Sequence, residues 1–156
     1  MGQIEKRLQE LKITLPVATA PVANYVPFVI TGNLLVISGQ VCFGPDGKLD
    51  AKHTGKLGGV VSPEAGKEAA RLCALNLLAQ ATAALGSLDR ITRCVRLGGF
   101  INATPDFTAL PGIMNGASDL MVEVLGDKGR HARSTVGMSA LPMDCAVEVE
   151  AMFEIA

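Results

Sequence analysis

The sequence predicts a two-layer α+β domain, a mixed β-sheet with two helices packed on one face. Three observations carry that expectation. Residues 146–155 alternate cleanly, with Val147, Val149, Ala151, Phe153 and Ile155 on one side and Glu148, Glu150 and Glu154 on the other. A long Ala/Leu-rich stretch opens at Ser62-Pro63-Glu64, where a capping serine, a proline and an acid suit the positive end of a helix. A second 3.6-residue period, Ile113, Ala117, Leu120, Met121 and Val124, follows Leu110-Pro111 and stops at Gly126.

Taken in order, residues 2–12 read as an amphipathic helix with Ile4, Leu8 and Leu11 on one face, ended by Pro16. Residues 1–15 are thus a helical extension of one domain spanning 1–156. An extended connector leads to Tyr25. Residues 26–30 and 34–37 read as a hairpin around Thr31-Gly32-Asn33, and Ser38-Gly39-Gln40 ends its apolar run. Gly44-Pro45-Asp46-Gly47 is a turn, and 50–61 reads as an irregular surface loop. The long helix runs from Ser62 to about Leu85 and stops at Gly86; the next strand covers 91–102. After the second helix, a glycine- and charge-rich loop leads to a strand over 132–140. A turn at Leu141-Pro142-Met143-Asp144 joins it to the strand over 146–155, its expected partner. Arg133 and the carboxylates across from it would then form a compact charged constellation.

The predicted order after the first helix is βββ-α-β-α-ββ, closest to two β-α-β units with added hairpins. The sheet face away from the helices stays open. Such a face is too large for a monomer to expose, so it should pack against copies of itself.

Bulk composition excludes several classes. A net charge of −1, no Trp and one Tyr argue against a nucleic-acid binder. Cys42, Cys73, Cys94 and Cys145 are scattered with no CxxC, and His53 and His131 are the only histidines, so zinc spacing is absent. Buried reduced thiols are the expectation, with no metal or cofactor. No signal peptide or membrane-length apolar run is visible, and Lys6 stands where a myristoylation motif wants Ser or Thr. The expected compartment is the cytoplasm.

Arg133 is the most specific chemical feature, because a guanidinium holds a carboxylate through two parallel hydrogen bonds. That carboxylate is either a ligand's or that of Glu148 or Glu150 in a structural ion pair. Glu148 is likewise either a general acid or base, or a solvated strand residue.

The run His131-Ala132-Arg133-Ser134-Thr135-Val136, then Leu141-Pro142, then Val147-Glu148-Val149-Glu150-Ala151 resembles the signature of the YjgF/RidA family. Asn33-Leu34-Leu35-Val36-Ile37-Ser38-Gly39-Gln40 resembles that family's hairpin, so the resemblance covers most of residues 20–156 and leaves out the first helix. It implies a chorismate-mutase-like fold, a homotrimer and a ligand cleft at each subunit boundary. It also implies an imine deaminase that converts 2-imino acids, formed from 2-aminoacrylate-type enamines, to 2-keto acids and ammonia without a cofactor. By resemblance, Arg133 holds the substrate carboxylate, Glu148 orients water or shuttles protons, and the backbone at Thr135 meets the reacting nitrogen. Tyr25, Asn115, Ser38 and Gly39 line the cleft. Thr135 stands where many relatives have cysteine, which with the extra helix and the 50–61 loop suggests a divergent subgroup. A non-catalytic carboxylate binder or sensor is the alternative; a ribonuclease lacks a basic surface, an aromatic platform and a histidine pair.

Overall fold

The structure, a computed structural model, describes residues 1–156. Helix α1 (Gln3–Glu10) is shorter than its apolar period, because Lys12 turns the chain with a φ of +56° before Pro16 is reached. The amides of Gln3 and Ile4 donate to the Asp89 carboxylate, both at 2.9 Å. That acid satisfies otherwise orphaned donors and faces the positive helix end.

Strands β1 (Phe28–Thr31) and β2 (Leu34–Val41) form the expected hairpin. However, β2 does not stop at Ser38; its register shifts between Ile37 and Gln40 and pairing resumes to Val41. A bulge breaks the apolar alternation while the ladder continues. Only two strands therefore precede the long helix, giving ββ-α-β-α-ββ rather than three strands first. Nor is 50–61 an irregular surface loop. His53, Gly55, Leu57 and Val61 are buried, and the Leu57 amide donates to Asn102 O at 2.8 Å. Two apolar side chains four residues apart draw this segment into the core.

Helix α2 (Pro63–Leu85) starts as expected, the Ser62 hydroxyl accepting from the Ala65 amide, and closes at Gly86 with φ +75°. Strand β3 (Ile91–Asn102), helix α3 (Leu110–Leu125), and strands β4 (Ala132–Met138) and β5 (Val147–Ile155) complete the chain. The sheet order is β1-β2-β5-β3-β4, antiparallel except for the parallel β3–β4 pair.

The last two strands are thus not partners, contrary to expectation. After α3 the chain returns beside β3 as a parallel strand, the arrangement helical crossovers favour. It then passes over the end of β3, and β5 inserts between β2 and β3. Asn102, wholly buried, ties that crossing down: Nδ2 donates to Asp144 Oδ1 at 2.8 Å and Cys145 O at 3.2 Å. Lys56 Nζ donates to Asn102 Oδ1 at 2.5 Å from the other side.

Helices α2 and α3 cover one sheet face. Between them and the sheet, Leu77, Leu97, Met114, Leu120 and Phe153 are wholly buried. Each such side chain contributes about 1.5–3 kcal/mol. Gly116 lets α3 approach the Lys67 carbonyl of α2 so closely that any Cβ would collide. The opposite face carries Arg96, Phe100, Val136, Glu148, Glu150 and Met152, none of them buried. All four cysteines are buried and reduced. Burial raises the Cys73 thiol and pushes Cys94 up to about 12, which keeps both from acting as thiolates. No helix is long and apolar enough to cross a membrane.

Candidate functional site

The bulge in β2 opens a cleft of about 450 Å³ against the 19–27 connector and the Pro142-Met143 turn. Tyr25, Ser38, Gly39 and Glu148 all line it. Glu148 alternates with buried Val147 and Val149, so its carboxyl lies on the sheet face opposite the helices. Gly39 makes room for it: a Cβ there would collide with a Glu148 carboxylate oxygen. Half-burial, and then the neighbouring Glu150 charge, raise the Glu148 carboxyl above the ordinary range. A carboxyl so placed suits proton transfer. Ser38 plays a different part, its Oγ donating to Val26 O at 2.7 Å and so pinning the connector to the hairpin. Tyr25 is mostly exposed on the cleft wall.

Arg133 and Thr135 lie elsewhere. They share the helix-side face of edge strand β4, and β3 separates that strand from Glu148 on β5. The predicted charged constellation does not form. No ion pair of the chain includes Arg133, so the expected alternatives Glu148 and Glu150 are not its partners. Instead α3 supplies neutral acceptors. Arg133 Nη1 donates to Asn115 Oδ1 at 2.8 Å and Ser118 Oγ at 3.0 Å, and Nη2 donates to Pro111 O at 3.3 Å. A guanidinium has five N–H donors, so two, at Nε and Nη2, are left without a partner in the chain. Two residues along the same strand face, the buried Thr135 Oγ1 has no hydrogen-bond partner either. Unpaired buried hydroxyls are uncommon.

Seven predicted residues therefore fall into two groups: Tyr25, Ser38, Gly39 and Glu148 at the cleft, Arg133, Asn115 and Thr135 at the far edge. Sequence reasoning missed Ser118, His131, Met143, Gln40 and Gln80. Ser118 was legible, since it follows Asn115 by three positions and so shares its helix face. Gln40 and Gln80 are buried at the cleft, where Gln80 Nε2 donates to Thr19 O at 2.8 Å. Met143 and Asp144 both have positive φ, 57° and 56°, which no local sequence signal announces.

Residues 5–155 match the family described as "YjgF/chorismate_mutase-like, putative endoribonuclease", so the match takes in most of α1 as well. Protein TCP17 of Trypanosoma cruzi is 45% identical over 155 residues, covering 99% of this chain and 95% of that protein. Atu1372 of Agrobacterium tumefaciens, a solved structure of unknown function, is 49% identical with a TM-score of 0.90, covering 98% of this chain and 92% of that one. Escherichia coli TdcF, solved with bound serine, is 25% identical with a TM-score of 0.64, covering 89% and 94%.

Proposed function

This chain belongs to the YjgF/RidA family, and on that premise we propose that it hydrolyses small 2-imino carboxylic acids to 2-keto acids and ammonia. One observation carries the reading. Arg133 holds three donors on neutral acceptors, keeps two free and has no carboxylate of its own. Two parallel donors are what a ligand's carboxylate requires. TdcF with bound serine supports the same ligand class, a small amino carboxylic acid.

The two groups of residues come together between copies of the chain in a homotrimer. Arg133 and Thr135 of one copy face the Glu148 cleft of the next. Apolar residues left at the surface favour such an assembly: Val29 is 51% exposed, Ile30 46% and Val136 44%.

In this site Arg133 anchors the carboxylate, and Glu148 takes a proton from water as its oxygen bonds to the imine carbon. The C=N π pair moves to nitrogen, which takes a proton from solvent. As the carbinolamine collapses, Glu148 returns its proton to that nitrogen, the hydroxyl proton passes to solvent, and the C=O bond forms as ammonia leaves. Water and imine are consumed, keto acid and ammonia are made, and no electrons are exchanged. Orientation and proton transfer supply the rate. The test is ammonia release from freshly generated 2-iminopropanoate and 2-iminobutanoate. No acceleration over the spontaneous rate sinks the deaminase reading and leaves a carboxylate-binding one; RNA cleavage by the same preparation would favour a ribonuclease.

A further inference from the structure

The hydrogen bonds around Arg133 continue beyond Asn115. Ser118 Oγ lies 2.9 Å from His131 Nε2, and His131 Nδ1 lies 2.6 Å from Gly129 O. Each direction is forced by chemistry. A carbonyl oxygen only accepts, so His131 Nδ1 carries the proton and donates to Gly129 O. A guanidinium only donates, so Ser118 Oγ accepts from Arg133 Nη1. In the neutral ring Nε2 is an acceptor, and the Ser118 hydroxyl proton points at it. The result is a one-way chain, Arg133 to Ser118 to His131 to Gly129, in which each of these atoms has one assigned role.

We propose that Ser118 and His131 are positioning residues for Arg133, fixing which edge of its guanidinium stays free. The polarised hydroxyl accepts more strongly from Nη1 because its own proton is engaged. Nη1 is held twice, by Ser118 and Asn115, and Nη2 once, by Pro111 O, which leaves Nε–H and the second Nη2–H as the open edge. Without Ser118 a single bond remains on each terminal nitrogen, and the fork is less firmly held. The backbone supports this from both sides. Asn115 and Ser118 sit one turn apart on α3, and His131 and Arg133 are two apart on the segment entering β4. The chain deepens the proposed deaminase reading and rests on it only for the identity of what the open edge holds.

The test combines a structural readout with kinetics on the full-length protein. With two histidines in the chain, imidazole nitrogen NMR assigns His131 by its loss in His131→Leu. At about pH 8, where an ordinary histidine is neutral, the expected signal is the Nδ1–H tautomer. The Arg133 guanidinium protons should be distinct in the wild type and averaged in Ser118→Ala. An Nε2–H tautomer, or guanidinium signals unchanged in Ser118→Ala, overturns the proposal whatever the enzyme does. In turnover, Ser118→Ala and His131→Leu should raise KM by about 3- to 10-fold with kcat nearly kept, an indirect effect about the size of one ordinary hydrogen bond. Ser118→Thr and His131→Gln restore a hydroxyl and an acceptor and should recover most of that loss. Unchanged KM in Ser118→Ala beside a large loss in Arg133→Lys overturns the positioning role and leaves the deaminase standing. No effect of Arg133→Lys sinks the deaminase reading, while the NMR result still decides the hydrogen-bond chain.

Discussion

The two halves of the candidate site are built by different physics. Arg133 is held by geometry: it donates three hydrogen bonds to neutral acceptors on α3. Glu148 is tuned by environment: half-burial and the adjacent Glu150 raise its carboxyl, and no hydrogen bond fixes it. Backbone strain also collects on this side. Met143 and Asp144 are consecutive non-glycine residues in the left-handed region, and Met143 lines the Glu148 cleft. Asn102, donating to Asp144 and Cys145, holds that turn in place. On the proposed reading, one half binds a carboxylate and the other moves a proton. Changes on the first half should alter binding, changes on the second the pH dependence and rate.

The largest expected effect tests the proton-moving half. Glu148→Gln keeps shape and burial but removes proton transfer, worth roughly 10²- to 10⁴-fold in rate. Retained turnover in steady-state assays would remove Glu148 from the chemistry. Next comes the binding half: Arg133→Lys keeps the charge and loses the fork, at about 1.5–3 kcal/mol, or roughly ten- to over a hundredfold in kcat/KM. Because Arg133 serves no ion pair, its melting temperature should stay near wild type. A large drop there would show that the residue is structural after all.

Mixing those two inactive variants as co-refolded oligomers joins the halves in a single experiment. If each site takes one half from each of two copies, random assembly regenerates about a quarter of the sites. Ammonia release that stays at the level of the separate variants would break the two-copy arrangement.

A smaller effect is expected from the strained turn. Met143→Gly relieves a left-handed conformation that disfavours side chains by about 1–2 kcal/mol, less the glycine's entropy. The melting temperature should rise by a few degrees relative to Met143→Ala; no difference between the two would mean the turn is unstrained.

The smallest expected effect is a pH dependence. The Glu148 carboxyl is raised in the folded state, so that state binds more protons than the unfolded chain across the window above the ordinary value of about 4.3. Stability conferred by the protonated form is lost as pH rises through the folded-state value. The melting-temperature advantage of Glu148→Gln over wild type should therefore widen from acid toward neutral pH. A constant gap would contradict the raised carboxyl.

Much of this was legible from residues alone, because the signals are local. Ser62-Pro63 and Gly86 delimit α2 by capping, and the 91–102 strand and the apolar stripe of α3 are where periodicity puts them. The seven candidate residues were named through the resemblance carried by the run around Arg133 and Glu148. Their distribution was not legible. Alternating Val147 to Ile155 has the same apolar face whichever strand lies beside it, so alternation names a strand without naming its neighbour. Nothing in the sequence hinted at this: strands read at 132–140 and 146–155 leave five residues between them, short enough for a hairpin.

The sequence by itself determined the two long helices, the apolar faces of α3 and β5 and the chemistry available, since each depends on residues a few positions apart. Tertiary structure decided that β5 enters between β2 and β3 and leaves β4 at the edge. That choice separates Arg133 from Glu148, because strand pairing is settled by long-range packing and crossover geometry, which no short stretch of sequence encodes.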